Sequence, residues 1–244
     1  AAASSSSCSE HFLDDDEAAR TRSVMESVVN SRSVLVLADV ATAAECSTLL
    51  EIGSSLAKVE LEERTMLQEC GLLDETMEND AGRVRMHIRD RLDADGQALC
   101  DALLLRTLKR LETEFDGDEY ASFGDCLQID SCVDNESVSW SPGEPAINVY
   151  VAGGEFRPHE DEQRLSILIP LTDESNFVGG GTAFWSAADR GPEDANGQRT
   201  VKGEPRLLLK PRAGCAIVFG GQATHAAQPV TKGERCVFVG SFSF

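Results

Sequence analysis

The spacing of apolar residues changes along the chain from a helical period to short extended runs. In the first part, the apolar and β-branched run SVLVLADV (33–40) predicts a strand. Thr42 and Glu45 then have the spacing of a helix-capping box, and apolar residues recur on one helical face after them. A second helix is predicted over 95–115 by the same period. The first part therefore predicts one strand followed by two helices.

The second part, after about residue 125, consists of short apolar runs separated by glycine, proline, asparagine and aspartate. Regularly spaced short strands with such turn signals indicate an antiparallel sandwich or barrel. The predicted strands are 147–153, 164–171, 180–185, 206–211, 215–221 and 235–244.

These patterns divide the sequence into a lead-in and one domain. Residues 1–32 begin with a serine-rich segment followed by acidic residues, and we expect them to be a partly disordered lead-in. Residues 33–244 are predicted to be a single domain, with helical support over 33–120 and a β core over 121–244. The sequence begins with alanine, so we expect the natural start and any targeting signal to lie outside it.

Composition narrows the range of partners. The formal net charge of −20 speaks against nucleic acid, whose phosphates attract a positive surface. No apolar run approaches the roughly 20 residues that span a bilayer, so no membrane partner is expected. The eight cysteines include no CxxC pair, which favours reduced, buried thiols and a cytoplasmic location. The oligomeric state stays open.

Four residues of the β-rich part form a candidate metal site. His159 stands two residues before Asp161, and in an extended segment such residues share a face. His225, the other histidine of this part, follows an apolar strand and a glycine pair. Two imidazoles and one carboxylate form the facial triad that suits non-haem Fe(II). Arg235, which opens the last strand, offers a fork that binds a carboxylate at two points.

The order and spacing of these residues resemble the signature of the Fe(II)- and 2-oxoglutarate-dependent dioxygenases, in particular the prolyl-4-hydroxylase-like branch. Tyr150 and Phe156 stand nine and three residues before His159, where that branch has an aromatic pair. GGTAF (180–184) is similar to its GG-x-T-x-F strand. HAAQPVTKGER (225–235) follows its H-x-x-x-P-V-x-x-G-x-K motif, with arginine in place of the lysine.

The resemblance implies a fold and a set of site residues. The fold would be α+β and mainly β, a double-stranded β-helix (the cupin-like jelly roll) with supporting N-terminal helices. The residues that would bind Fe(II) are His159, Asp161 and His225, and those that would bind 2-oxoglutarate are Arg235, Tyr150 and Thr182.

The resemblance also implies an activity, that of an oxidoreductase. The protein would use Fe(II), 2-oxoglutarate and O2 to hydroxylate a C–H bond, with succinate and CO2 as products. The acceptor would be an amino-acid residue of a protein or peptide, as in prolyl hydroxylation, or a small molecule. Ascorbate is expected to bind as reductant. Two alternatives stay open: a cupin-like metal-dependent isomerase or lyase, and a non-catalytic sensor that binds the metal or 2-oxoglutarate.

One basic segment bears on the acceptor. GRVRMHIRDRL (82–92) alternates basic and apolar residues, which predicts a strand with a buried apolar face and a basic face toward water or a substrate. A solvated face neutralised by the protein's own carboxylates is the alternative. If the basic face binds substrate, the acceptor is anionic. The candidate substrate residues are Arg85, Arg157, Trp185 and Phe156.

Overall fold

The computed structural model describes residues 7–13, 24–71, 82–88, 91–114 and 139–243 of the protein. Within these residues the helices are α1 (Val24–Val29), α2 (Ala43–Glu69) and α3 (Ala94–Glu114). The strands, in sequence order, are β1 (Cys8–Phe12), β2 (Ser33–Leu37), β3 (Arg83–His87), β4 (Ser139–Trp140), β5 (Ala146–Tyr150), β6 (Phe156–His159), β7 (Leu165–Pro170), β8 (Phe177–Gly179), β9 (Thr182–Phe184), β10 (Arg190–Glu193), β11 (Arg199–Val201), β12 (Leu207–Leu209), β13 (Ala216–Phe219), β14 (His225–Ala227), β15 (Val230–Gly233) and β16 (Arg235–Ser243).

Two antiparallel sheets face each other. The larger has the order β1-β2-β13-β7-β16-β5-β3, with β4 beside β16, and the smaller has the order β12-β9-β14-β6. Buried side chains from both sheets meet between them, among them Phe184 of the smaller sheet and Phe219 of the larger, whose ring centroids are 5.0 Å apart. This arrangement is a double-stranded β-helix, as the sequence predicts.

The helices cover the outer face of the larger sheet. A second apolar core lies there, with Leu49 of α2 and Leu104 of α3 fully buried against sheet residues such as Ile147 and Phe238. The capping box at the start of α2 forms as predicted. The amide N–H of Glu45 donates to the hydroxyl of Thr42 at 3.2 Å, and the Thr42 N–H donates to the Glu45 carboxylate at 2.7 Å.

The predicted helices and main strands agree with the structure, and the lead-in contains a strand that the sequence did not predict. Residues 8–12 form β1, which pairs antiparallel with β2, although they lie in the segment expected to be partly disordered. Leu13 is 2% exposed and packs in the core between the sheets. The apolar edge of β2 supplies the backbone partners that order this segment, and such a partner cannot be read from a serine-rich stretch.

Three smaller expectations can be compared with the described residues. The six cysteines in the described residues form no disulfide, and four of them are buried (Cys46, Cys100, Cys215 and Cys236). Arg89 of the basic segment and the end of the second predicted helix, Phe115, lie outside the described residues. No helix in the described ranges is long and apolar enough to cross a membrane.

Candidate metal centre and substrate cavity

Two neighbouring strands of the smaller sheet bring the predicted metal ligands together. β6 pairs with β14 so that His159 lies directly opposite His225, and Asp161 follows two residues after His159. The Nε2 atom of His159 lies 3.4 Å from Asp161 Oδ1, and that of His225 lies 3.7 Å from Asp161 Oδ2. One donor atom from each residue lies within 4.8 Å of the others.

Backbone carbonyl groups orient both imidazole rings. Nδ1 of His159 lies 2.8 Å from the carbonyl oxygen of Arg157, and Nδ1 of His225 lies 3.0 Å from that of Ala223. Because a carbonyl oxygen can only accept, each Nδ1 carries the proton. Each Nε2 therefore presents its lone pair toward Asp161, which is the tautomer that a metal ligand requires.

The charge states of the cluster also suit a cation. Burial lowers the pKa of His225 to about 4, so this ring is neutral at neutral pH and free to bind a metal. Burial alone would raise the pKa of Asp161, but the positive charge that the two histidines carry at acidic pH, together with the hydroxyl of Ser166, outweighs it, so the pKa lies below its usual value. Ser166 on β7 donates to Asp161 Oδ2 at 2.5 Å. Two imidazoles and one carboxylate thus fit Fe(II).

Arg235 is a buried cation whose charge no described carboxylate balances. The residue is 4% exposed, and burial lowers its pKa. Its guanidinium donates to the hydroxyl of Thr182 at 2.9 Å and lies 5.3 Å from the ring centre of Tyr150. A buried charge is costly without a counter-charge, so this position fits the carboxylate of a ligand.

A glycine turn makes room beside Arg235. Gly179, Gly180 and Gly181 all have positive φ angles, of 80°, 61° and 107°. A Cβ atom at Gly180 would lie 3.3 Å from Cδ of Arg235 and closer still to the ring of Phe177. The turn therefore allows the close approach of backbone to the arginine.

A cavity of about 430 Å³ lies between the two sheets and joins these groups. The predicted site residues that line it are Arg85, Tyr150, Phe156, His159, Asp161, Thr182, His225 and Arg235. The metal cluster is on the smaller sheet, and Arg235 and Tyr150 are opposite each other on β16 and β5 of the larger sheet.

Two predicted substrate residues, Arg157 and Trp185, do not line the cavity. β6 contains a bulge. Phe156 lies opposite Ala227 and His159 lies opposite His225. Three residue intervals along β6 therefore pair with only two along β14. The bulge turns Phe156 and His159 into the cavity and leaves Arg157 exposed. Trp185 is 5% exposed and packs with Ala183 and Ala226 on another side of the smaller sheet.

The basic strand is only partly as predicted. Val84, Met86 and Ile88 are buried, which confirms the alternation. Arg85 does line the cavity, but its guanidinium pairs with the buried carboxylate of Glu144 at 2.5 Å, so the two charges balance. At Arg85 the structure thus agrees with the alternative in which the protein's own carboxylates neutralise the basic face, because a distant turn supplies the carboxylate.

Asn148 and Glu144 are two of the cavity residues that were not found from the sequence. Asn148 is 4% exposed and stands two residues before Tyr150, so strand alternation could have placed it on the same face. Glu144 is 5% exposed and lies in the turn before β5, where the sequence carries no comparable signal.

A hairpin formed by β10 and β11 covers one side of the cavity. Its residues Glu193 and Gln198 line the cavity, and Gln198 bridges to His159. Glu160, which stands between two of the metal-cluster residues, holds this hairpin by ion pairs to Arg190 at 2.7 Å and to Arg199 at 3.1 Å. The hairpin is thus fixed to the segment that carries the cluster.

Residues 145–243 match the family model described as the 2OG-Fe(II) oxygenase superfamily. The matched segment contains the histidine and aspartate cluster, Arg235 and all of β5 to β16. The match confirms the family resemblance predicted from the motifs. No curated protein sequence is detectably similar to this one.

Several solved structures are similar to this protein at low sequence identity and with TM-scores below 0.5. A viral collagen prolyl hydroxylase, vCPH from Paramecium Bursaria Chlorella virus-1, is 13% identical over 86% of this chain and 94% of its own, with a TM-score of 0.46. A Pseudomonas putida prolyl-4-hydroxylase is 16% identical over 89% and 97%, with a TM-score of 0.42. EvdO2 from Micromonospora carbonacea var. aurantiaca is 15% identical over 96% and 93%, with a TM-score of 0.49. Likeness at this level does not extend to the substrate.

Proposed function

We propose that this protein, whose residues 145–243 belong to the 2OG-Fe(II) oxygenase superfamily, hydroxylates a C–H bond of a peptide or small-molecule acceptor. The protein is an oxidoreductase of the dioxygenase class that uses Fe(II), 2-oxoglutarate and O2. In the proposed reaction 2-oxoglutarate is converted to succinate and CO2 while the acceptor gains a hydroxyl group. The observation that carries the proposal is a three-residue cluster suited to iron in the same cavity as a buried arginine that no described carboxylate pairs with.

We assign the metal ligands to His159, Asp161 and His225. Support comes from the two Nε2 lone pairs and the ionised carboxylate that face one another within 4.8 Å. When bound, iron supplies the redox chemistry that couples decarboxylation of 2-oxoglutarate to oxidation of the acceptor. The contribution of the protein is to hold three ligands on one side, which leaves the other side open to the cavity.

We assign the distal carboxylate of 2-oxoglutarate to Arg235. The guanidinium has no acidic partner among the described residues, and it is held in place by Thr182. Tyr150 lies directly opposite Arg235 in the β5–β16 pair and lines the same end of the cavity, so its hydroxyl is the second neutral donor assigned to the co-substrate. We also propose ascorbate as the reductant that keeps the iron in its Fe(II) state.

The direct test measures succinate in the purified protein supplied with Fe(II), 2-oxoglutarate and O2. Succinate should form in an O2-dependent way, and ascorbate should slow the loss of activity. A metal-dependent isomerase or lyase, and a sensor without catalysis, would both release no succinate. Absence of succinate from a protein that binds iron and 2-oxoglutarate would therefore reject the proposed function.

A further inference from the structure

The inward residues of the larger sheet form two rows across its neighbouring strands. In the first row, Arg83 of β3, Tyr150 of β5 and Arg235 of β16 are direct partners. In the second row, Arg85 and Asn148 are partners in the same two-strand pairing. The rows are two residues apart along β5, or roughly 7 Å. The first row contains the arginine assigned to 2-oxoglutarate, so the second row is available for another ligand.

Two buried oxygen atoms, one in the second row and one in the turn beside it, have no hydrogen-bond partner among the described residues. These are Oδ1 of Asn148 and Oε2 of Glu144, whose other carboxylate oxygen accepts from Arg85. Both residues are at least 95% buried and both line the cavity. An unpaired buried acceptor costs about 1–3 kcal/mol, more when it is charged. A ligand with N–H donors at this place would remove that cost.

The same row also offers a cationic group. Arg85 donates to Glu144 through one nitrogen, Nη2, and its side chain keeps a relative exposure of 23%. A guanidinium has five N–H donors in a planar fork, so it can bind a second carboxylate along another edge. The row thus presents a carboxylate and an amide oxygen next to a guanidinium. The complement of that arrangement is a molecule with an ammonium and a carboxylate a few ångströms apart.

The size of the cavity limits the molecule. A volume of about 430 Å³ is at the lower end of the roughly 300–1,000 Å³ found for small-molecule sites. The co-substrate takes part of that volume. The remainder suits one small molecule and is too small for a folded segment of another protein.

We propose that the acceptor is a free α-amino acid, whose ammonium donates to Glu144 and Asn148 and whose carboxylate pairs with Arg85. This inference rests on the proposed function and names the substrate class of the same site. With its ammonium and carboxylate held by the larger sheet, the amino acid extends its side chain toward the metal cluster on the smaller sheet. One oxygen atom of O2 enters a C–H bond of that side chain as hydroxyl. The other enters succinate, as the C1–C2 bond of 2-oxoglutarate breaks and CO2 leaves.

The electrostatics of Glu144 agree with this assignment. Burial raises the pKa of its carboxyl to about 7, Arg85 opposes that rise, and the ionised Asp161 adds to it. An arriving ammonium would stabilise the ionised form. The charged groups that shift the pKa of Glu144 are Arg85 on β3 and Asp161 after β6.

The test compares succinate release with and without each of the twenty common L-amino acids, using protein loaded with Fe(II) and 2-oxoglutarate. At least one amino acid should raise succinate release severalfold above the basal rate. Succinate release should not rise with its N-acetyl derivative, which lacks the ammonium, or with its amide, which lacks the carboxylate. An acetylated and amidated proline-rich peptide is the competing acceptor, and stimulation by this peptide equal to that by the best amino acid would overturn the inference.

Two variants test whether the stimulating amino acid binds at the second row. Glu144→Gln and Asn148→Leu should each raise the KM of the stimulating amino acid at least tenfold, whereas Glu204→Gln, at an exposed position outside the cavity, should not. Thermal unfolding checks that each variant is folded, and Asn148→Leu decides the matter if Glu144→Gln fails to fold. Unchanged KM values in the folded variants would overturn the inference.

The two proposals fail in different ways. If the wild-type protein releases no succinate under any condition, the proposed function is wrong. If basal succinate release persists and no free amino acid stimulates it, only the amino-acid assignment is wrong.

Discussion

The rings of His159 and His225 each donate an Nδ1–H to the carbonyl of the residue two positions earlier in the sequence. At the scale of single residues, this repeated contact fixes the tautomer of both rings without any further side chain. Asp161 is instead fixed by a hydroxyl group, that of Ser166 on the facing sheet. Metal affinity should therefore depend on Ser166, although Ser166 is not itself a predicted ligand.

Ser166→Ala is expected to weaken iron binding by about 10- to 100-fold, the usual effect of losing a hydrogen bond to a metal ligand. The binding constant for Fe(II), or for Mn(II) as a redox-stable substitute, can be measured by titration. Ser139→Ala, an exposed serine on β4, is the matched control. An unchanged affinity in Ser166→Ala would show that Asp161 needs no orienting donor.

Arg235→Ala should raise the KM for 2-oxoglutarate by about thirtyfold or more, because removing one partner of a buried charge pair costs about 2–5 kcal/mol. Arg235→Lys should lose less, since an ammonium keeps the charge but not the two-point fork. Steady-state kinetics at varied 2-oxoglutarate measure both. If Arg235→Ala keeps a normal KM, another residue binds the carboxylate.

Glu144 makes the stability of the protein depend on pH. Its pKa rises from 4.5 to about 7 on folding, chiefly through burial. The folded state therefore binds this proton more tightly than the unfolded state, and the resulting stabilisation is present below pH 4.5 and is lost as the pH rises through 7. The loss amounts to at most about 3 kcal/mol, at roughly 1.36 kcal/mol per pKa unit.

Urea unfolding of the wild type and of Glu144→Gln at about pH 5.5 and about pH 8 measures this contribution. The difference in unfolding free energy between the two proteins should change with pH, with the wild type losing stability relative to the variant at the higher pH. If the difference in unfolding free energy between the two proteins is the same at both pH values, Glu144 is already ionised at the lower pH.

At the scale of elements, the start of α2 is built from a short local motif and one distant contact. Glu45 caps the helix with Thr42 and also pairs with Arg106 of α3 at 2.8 Å, so one carboxylate joins both helices. Its pKa is lowered to about 2, mainly by the hydrogen bond from Arg106. The sequence predicts the cap from its spacing, but not the contact between helices.

Thr42→Ala should lower the free energy of unfolding by about 1 kcal/mol, the typical value of a helix N-cap. Thr42→Ser keeps the hydroxyl and should stay close to the wild type. Chemical denaturation of both variants gives the comparison, and equal stability of the two would show that the Thr42 hydroxyl adds nothing.

Individual strands and turns also show which residue positions the sequence predicts and which it does not. The period-2 rule correctly places His159 and Asp161 together, and it would have found Asn148 from Tyr150. The same rule fails at Arg157, because a bulge in β6 depends on pairing with β14 and not on the residues of β6 alone. Glu144 was missed for a similar reason, since its burial comes from a turn packed against strands distant in sequence.

At the scale of the whole molecule, the two covering helices and an antiparallel β architecture were predictable because each element is a separate apolar run bounded by turn residues. The double-stranded β-helix was implied by the family resemblance. The smaller sheet was the harder part. Its strands β6 and β14 have only four and three residues, so they carry too few positions to show a period. The motifs that resemble a known family, and not periodicity, located them.

The pairing of β1 with β2 has a consequence for how copies of this protein behave in solution. β2 is a short apolar strand, and β1 satisfies the backbone groups along its outer edge. A variant lacking residues 1–13 would leave that edge open, and an open apolar edge is a template for pairing with another molecule. We expect this variant to form dimers or larger aggregates in light scattering, whereas a variant lacking only residues 1–6, which keeps the hydrogen bond from Ala38 to Ser7, should scatter light like the untruncated protein. If both truncated forms are equally monodisperse, β1 is dispensable for keeping copies apart.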